Sequence, residues 1–290
     1  MQIRKPVVAG RFYPGDAAEC LAQIRECLAS HAVPDSLPDP LVAGIVPHAG
    51  WMFSGPLAAM VFAAVRRRRP SIRTAVILGA AHEYFGPKPA LDTCDAWETP
   101  LGAVQIDDSL RQALLDRGVA LANASPHRHE HSLEVQVPFV QHLFPGARIL
   151  PVIVPPAESA LALGDALAEL PAQTLAGIVC IGSTDLTHYG PRYGFTPMGI
   201  GAEALGWASS VNDRQFIDLA LALDSQRLLA NAIECGNACG PGAAAAVVRF
   251  AQRRGSPKGL LLAHTNSNEI LLRQMASAGR DSVGYAAIVF

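Results

Sequence analysis

Hydrophobic residues along this chain gather into short runs, most of which end directly before a polar residue or a turn. Such near-continuous apolar runs are typical of strands that are covered on both faces, as in parallel and mixed sheets. The pattern predicts six strands, at residues 42–46, 75–79, 149–154, 177–182, 259–263 and 283–290.

The segments between these runs carry helical patterns. One helix is expected to begin after Asp16, a suitable N-cap, and to bury Cys20 and Cys27 in its apolar face. Alternating strands and helices indicate an α/β fold, in which helices flank a central mixed or parallel sheet. No repeat or linker divides the chain, so residues 1–290 are predicted to form one sandwich-like domain. The further predicted helices are 55–69, 108–117, 132–144, 157–170, 212–230 and 243–254.

Composition and charge narrow the class of protein. Half of the 290 residues are apolar, 17% are charged and the formal net charge is −2, which suits a large core. This balance gives no electrostatic footprint for nucleic acid or a membrane surface. The arginines at 66–69 are predicted to be a solvated helix end, where cations are favourable, rather than a phosphate patch. Without a signal peptide, a membrane span or a disulfide framework, the expected location is the cytoplasm.

Histidines follow four of the predicted strands. In open α/β sheets, ligands bind beyond the carboxyl ends of the strands. One such histidine alone would more often be a hydrogen-bonded turn residue, but four at the same edge predict an active site there. The residues in question are His48, His82, the pair Asp185 and His188, and His264.

Cys239 precedes a Gly-Pro-Gly turn that opens a predicted helix. A thiol beside a helix N-terminus meets the positive end of the helix dipole, which favours the thiolate that binds metals or attacks electrophiles. The alternative is a small side chain buried in a crowded loop. Cys235, four residues earlier, could take the same role, so the residues alone leave the choice open.

Three alternating histidines, His127, His129 and His131, form a second cluster. If this segment is extended, they point the same way, about 6.5–7 Å apart, and could hold a metal. A triplet on a loop is more typical of a polar lid or an outer shell, so direct ligation is the less favoured interpretation. Glu130 and Glu134 are expected to orient imidazoles.

The motifs "RFYPG", "PHAGWMFSG", "WETPLG", "HEHSLEVQVPF", "STDLTHYG", "ACGPGA" and "VGYAA" occur in this order along nearly the whole chain, with His82 after "VILG". In this combination the chain resembles the Memo-like family, which includes the AmmeMemoRadiSam system protein B type. That family is similar in fold to class III extradiol dioxygenases, α/β sandwiches with a mixed sheet that bind Fe(II) through two histidines and a carboxylate. The resemblance therefore implies a dioxygenase-like fold.

Carried over to this chain, the resemblance implies a metal held by His48, His82 and Cys239. His188 would be the acid/base histidine, with Asp185 beside it. A thiolate in place of a carboxylate makes the donor set softer and tilts it toward copper or zinc, with iron still compatible. Iron or copper is the expected metal, zinc is a further candidate, and no nucleotide cofactor is implied. The residues expected to line or support the pocket are Phe12, Tyr13, Trp51, His131 and Glu134.

Three functions follow as expectations. The first is a metal-dependent oxidoreductase, similar to the extradiol dioxygenases, that acts on a small molecule. The second is a non-catalytic protein that binds a metal or a peptide, as an adaptor does. The third is a cysteine hydrolase with Cys239 as nucleophile and His188 as base. The family resemblance also implies a radical SAM protein as a pathway partner.

Overall fold

The computed structural model describes residues 1–275 and 279–290, and its centre is a mixed β-sheet. Within these residues, nine strands join this sheet in the order β10-β12-β2-β9-β3-β8-β4-β7, with β11 paired to β12. The strands are β1 Ile3–Arg4, β2 Ala43–Val46, β3 Thr74–Gly79, β4 Ala90–Leu91, β5 Ala96–Thr99, β6 Gly102–Gln105, β7 Leu121–Ala122, β8 Arg148–Ile153, β9 Ile178–Ser183, β10 His188–Tyr189, β11 Leu260–Asn266 and β12 Ser282–Val289.

Four parallel strands, β2, β9, β3 and β8, form the middle of the sheet, and antiparallel β12 and β4 flank them. Every residue of β2, β3 and β9 is buried, as the continuous apolar runs predict. The predicted α/β fold with a central mixed sheet is therefore confirmed. A second sheet, β1-β5-β6, has strands of two to four residues, which are too short for a clear hydrophobic pattern.

Helices fill the segments between the strands. Asp16 caps the first helix as predicted, because its side chain accepts from the backbone N–H groups of Ala18 and Glu19, and Cys20 and Cys27 are buried. The helices are α1 Ala17–Ala29, α2 Trp51–Arg68, α3 Asp108–Asp116, α4 Val137–Leu143, α5 Ser159–Ala168, α6 Ala172–Gly177, α7 Ala202–Trp207, α8 Asp213–Leu221, α9 Ser225–Cys235, α10 Pro241–Arg253 and α11 Ser267–Met275.

Two glycines show that α2 and α10 cover opposite faces of the sheet. Gly44 of β2 is opposite Ile181 of β9, whereas Ile45 is opposite Gly182, so the two glycines point to different faces. A Cβ on Gly44 would meet Val61 of α2 at 2.5 Å, and one on Gly182 would meet Val247 of α10 at 2.7 Å. A valine side chain of each helix therefore packs against the sheet at a glycine, where the strand has no side chain.

Two helix predictions need correction. The helix predicted from residue 55 begins four residues earlier, at Trp51, so Pro56 lies in its interior and Ser54 does not cap it. The helix predicted at 212–230 is two helices, because Leu223 adopts a left-handed φ of 57° and Asp224 then caps α9. A left-handed non-glycine residue ends a helix without leaving a mark on the apolar periodicity.

The arginine run at the end of α2 is largely solvated, as predicted, since Arg66, Arg67 and Arg68 are exposed. Arg67, Arg68 and Arg69 donate hydrogen bonds to backbone carbonyls, of residues 33–37 for the first two and of Ala176 and Ile178 for the last. These arginines therefore fasten surface segments to the helix end.

The main hydrophobic core contains side chains from residue 8 to Phe290, from both faces of the large sheet. All six cysteines are free thiols. In the part of the chain that the structure describes, no helix combines the length and the apolar character needed to cross a membrane.

Candidate metal centre

The site lies where the parallel strands β2, β3 and β9 end. His48 follows β2 after Pro47, His82 follows β3 after two alanines, and Asp185 follows β9. Cys239 arrives from the turn before α10 and its N–H donates to the Asp185 carbonyl at 3.1 Å. Parallel strands bring their carboxyl ends to one edge, so these residues, distant in sequence, meet there.

His48 is almost completely buried at 1% exposure, and hydrogen bonds fix its orientation. Its N–H donates to Asp185 Oδ1 at 2.7 Å, and its Nδ1 lies 3.2 Å from Ser183 Oγ. Its Nε2 lies 3.2 Å from Cys239 Sγ. Burial, with the nearby His131 and His82, lowers the pKa of His48 well below its usual value, so the ring is neutral, the form that binds metals.

His82 is oriented by Glu130. Its Nδ1 lies 3.0 Å from both carboxylate oxygens of Glu130, which leaves Nε2 for another partner. Burial opposes the charged form, but the interactions with Cys239 and Glu130 outweigh it and raise the pKa of His82 to about 10. Burial likewise opposes ionisation of Glu130, whose pKa is nevertheless held well below its usual range by His82 and the Ser132 N–H. A carboxylate behind an imidazole is the usual support of a metal-binding histidine.

The donor nitrogens of His48, His82 and His131 all lie within 4.8 Å of one another. The His82 and His131 rings are stacked with centroids 4.9 Å apart, and both are edge-on to His48 at 5.4 and 5.3 Å. The described residues therefore contain a three-histidine group that could hold a metal ion. The sequence placed His131 in a supporting role, whereas the structure puts it in this group.

The segment before His131 is not extended as the alternating histidines suggested. Residues Ser125–Arg128 form a 3-10 turn, so the three histidines separate. His127 is buried with Nε2 3.0 Å from the Ala90 carbonyl oxygen, and His129 is exposed. Of the three histidines, His131 therefore lies at the site, and His127 is a buried residue that contacts the backbone.

Cys239 is partly exposed and lies beside the histidines, whereas Cys235 is bonded elsewhere, to Asn231 and Gln215. The Asp185 N–H donates to Cys239 Sγ at 3.3 Å. Burial raises the pKa of the Cys239 thiol, against the lowering effect of His82. Burial therefore opposes the thiolate that the helix end was expected to favour, and metal binding would have to displace the thiol proton.

A cavity of about 450 Å³ opens beside the histidine group, and His131, Asp185 and His188 line it. His188 Nε2 is buried without a hydrogen-bond partner among the described residues. Burial, followed by the charges of His82 and His131, lowers the pKa of His188 to about 4. Burial raises the pKa of Asp185 to about 7, although backbone N–H groups of His48 and Ala49 oppose this shift.

Of the five residues expected to line or support the pocket, Phe12 and His131 line the cavity, and their rings lie 4.9 Å apart. Tyr13 and Trp51 pack against each other below it. Trp51 Nε1 donates to the Val135 carbonyl at 3.0 Å. These aromatic residues anchor the segment that carries His131.

Glu134 does not orient an imidazole. It accepts hydrogen bonds from Tyr13 Oη and the N–H groups of Val7 and Val8, and it forms a buried ion pair with Arg4 at 2.8 Å. Arg4 also donates to the carbonyls of His127 and Glu130. Arg4 was not predicted as a supporting residue, because its only signal in the sequence is a lone arginine in a short N-terminal strand.

His264 belongs neither to the three-histidine group nor to the lining of the cavity given above. It falls inside β11 rather than after it, and its Nε2 lies 2.9 Å from the buried carboxylate of Asp213. Asp213 in turn accepts from the Thr187 N–H, next to His188. His264 therefore supports the segment that carries His188.

Comparison with known proteins identifies the family of this chain. The profile of the family described as Memo-like protein matches residues 4–289. The chain belongs to the Memo-like protein family. Among its relatives are a MEMO1 family protein of Thermococcus onnurineus, 34% identical over 99% of both chains, and one of Methanopyrus kandleri, 33% identical over 99% of this chain and 98% of that one.

One solved structure is also similar, that of an uncharacterized protein from Escherichia coli K12. It matches with a TM-score of 0.49 and 12% identity over 84% of this chain and 99% of that chain.

Proposed function

We propose that this Memo-like protein binds one metal ion through His48, His82 and Cys239, and that it uses the ion as an oxidoreductase on a small molecule. His131 lines the cavity and would face the substrate. The proposal is carried by the convergence of imidazole donors within 4.8 Å, next to a partly exposed thiol and a cavity.

Distances support the thiol as a ligand. Zinc-type bond lengths to nitrogen and sulfur in a tetrahedral site place the two donor atoms roughly 3.6 Å apart. Cys239 Sγ and His48 Nε2 are 3.2 Å apart, so a small widening would admit an ion between them. Glu130 holds His82 from behind, which leaves its Nε2 available. Three protein ligands leave a coordination position for substrate, as catalytic sites require.

The donor set supports a soft or borderline metal. Two imidazoles and a thiolate suit copper and zinc, and imidazoles also suit iron. We propose iron or copper for the oxidoreductase, because zinc has no redox chemistry. When bound, such an ion would supply electron transfer with oxygen.

His188 is proposed to be the proton acceptor. Its neutral ring lines the cavity and presents a buried Nε2 without a hydrogen-bond partner among the described residues, which can take a proton from a substrate hydroxyl. Asp185 holds the His48 backbone and, through its own carbonyl, the Cys239 backbone. Asp185 therefore fixes the backbone of two proposed ligands, His48 and Cys239, relative to the segment that carries His188.

Turnover is the test of the oxidoreductase. The protein would be loaded anaerobically with Fe(II), and oxygen uptake would be followed with a panel of catechols. We expect oxygen uptake that the His188→Ala variant loses while it keeps its metal. Metal bound in full, with no oxygen uptake for any substrate, would contradict the oxidoreductase.

A metal-binding protein without turnover is the second candidate, and the position of His131 favours it. If His131 joins His48, His82 and Cys239, four protein ligands close the site, as in structural metal centres. Such a protein would hold the metal or present the cavity to a peptide. Tight binding of copper or iron, with a spectrum that added ligands leave unchanged, would support this candidate.

The cysteine hydrolase has less support. The imidazole within hydrogen-bond distance of Cys239 Sγ is that of His48 rather than that of His188, and burial raises the pKa of the thiol. A hydrolase would need a nucleophile that alkylates equally well with and without metal. We expect bound metal to protect Cys239 from iodoacetamide, and unprotected labelling would favour the hydrolase.

A further inference from the structure

The cavity beside the histidine group contains one permanently cationic side chain, Arg192, among its lining residues. Arg192 follows β10 in the turn Pro191–Tyr193, four residues after His188. Its backbone N–H donates to Asp281 Oδ1 at 2.9 Å, which fixes the turn. Within residues 1–275 and 279–290, its guanidinium makes no hydrogen bond or ion pair, whereas most arginines of this chain do. The group is therefore available to a ligand.

The other charged lining groups are already engaged by backbone. Asp185 accepts from the His48 N–H, and Asp281 accepts from the Arg192 N–H. Among the described residues that line the cavity, Arg192 is thus the one side chain with a permanent positive charge.

Four Phe and Tyr side chains contribute to the walls of the cavity. Phe12, Phe53, Tyr193 and Tyr285 line it, and the His188 and Tyr193 rings lie 5.0 Å apart. Aromatic walls with a few polar groups are typical of small-molecule pockets, and about 450 Å³ falls in the usual size range. Flat apolar walls favour a flat apolar ligand body.

We propose that the ligand of this cavity is a small, flat carboxylate, whose carboxylate group binds the Arg192 guanidinium while its other end reaches His188 and His131. The end of the ligand that reaches His188 and His131 is inferred from the proposed function. The carboxylate end is inferred from Arg192 alone. A guanidinium presents two parallel N–H donors that match the two oxygens of a carboxylate.

The charge next to Arg192 selects a monoanion. The Asp281 carboxylate accepts from the Arg192 backbone N–H, so one negative charge already lies at the same turn. A second charge on the ligand, as in a phosphate ester, would be repelled by Asp281. The pocket is therefore expected to prefer a carboxylate over a phosphate of the same body.

Ligand-observed fluorine NMR tests this with three probes that share a body: para-fluorobenzoate, para-fluorobenzyl alcohol and para-fluorophenyl phosphate. The full-length protein is used as purified and again after chelation, because a carboxylate could otherwise bind the metal itself. We expect the benzoate to bind more tightly than the alcohol and the phosphate in both preparations. Equal or tighter binding of either competitor, or no binding of the benzoate, would overturn the inference.

Variants then assign the contact. Arg192→Gln is expected to weaken benzoate binding at least about tenfold. Arg192→Lys keeps the positive charge but loses the two parallel N–H donors, and is expected to weaken binding about threefold. Arg66→Gln is the matched control, because it removes an exposed arginine charge about 20 Å along α2 from Phe53. It should bind like the wild type. Benzoate binding unchanged in both Arg192 variants would refute the contact, whatever the metal content.

Benzoate binding by the Arg192 variants, compared with metal content, distinguishes the carboxylate site from the proposed metal-dependent function. A protein that takes up no metal but binds benzoate through Arg192 would refute the proposed function and leave the carboxylate site standing. A protein that holds metal but ignores the Arg192 substitutions would do the reverse.

Discussion

Arg4 connects the N-terminus to the site, and its replacement by methionine should be among the most damaging single substitutions outside the ligands. The ion pair with Glu134 is buried on both sides, with side-chain exposures of 6% and 2%. Removing one partner of a buried pair costs about 3–5 kcal/mol, because the other charge stays buried. Glu134 would keep three donors, from Val7, Val8 and Tyr13, so we expect the lower end, about 3 kcal/mol.

Methionine is chosen because it preserves most of the apolar stem that packs on Trp97, where the guanidinium carbon lies 4.1 Å from the ring centroid. Lys5→Met is the matched control. Lys5 pairs with Glu98 at 2.6 Å, but its side chain is 69% exposed, and such pairs contribute about 0–1 kcal/mol.

Urea denaturation followed by circular dichroism measures both variants. We expect the free energy of unfolding to fall by about 3 kcal/mol for Arg4→Met and by less than about 1 kcal/mol for Lys5→Met. Equal losses in the two variants would show that burial of the Arg4–Glu134 pair has no energetic consequence, and would refute the reasoning. Arg4→Met should also weaken metal binding, because Arg4 holds the Glu130 carbonyl.

Three further outcomes are expected. Glu130→Gln should weaken metal binding about 10–100-fold in a competitive chelator titration, because His82 loses its carboxylate support; unchanged affinity would argue against that support. Gly182→Ala should lower the free energy of unfolding by about 1–3 kcal/mol, since the new Cβ meets α10 at 2.7 Å; wild-type stability would mean that the helix can retreat. Asn237→Ala should cost about 1–3 kcal/mol and loosen the Cys239 turn, because the fully buried Asn237 amide donates to Asn212 O and Asn231 Oδ1; thermal melting that matches the wild type would contradict this.

The sequence was informative where apolar runs are continuous. Strands such as β3 and β9 are buried along their full length, so their composition alone marks them, and His48, His82 and Asp185 then follow from the rule that ligands meet at strand ends. The short strands β4, β7 and β10 have two residues each and carry no period.

The membership of His131 in the three-histidine group could not be predicted from the sequence, for a different reason. Alternation assigns the three histidines to one side only if the chain is extended, and the 3-10 turn Ser125–Arg128 removes that condition. That turn is fixed by tertiary contacts, among them Arg4 Nε to the His127 carbonyl, which local patterns do not record. His264 was misplaced in a similar way, because β11 continues to Asn266 through pairing with β12.

The most direct test of the proposed metal centre is elemental analysis of protein purified without added metal, for the wild type, Cys239→Ser and the matched control Cys235→Ser. We expect about one ion per chain in the wild type and in Cys235→Ser, whose sulfur contacts Asn231 and Gln215, and a large loss in Cys239→Ser. His131→Ala should keep its metal. Full metal content in Cys239→Ser, together with loss in His131→Ala, would contradict the proposed ligands and assign the site to three histidines.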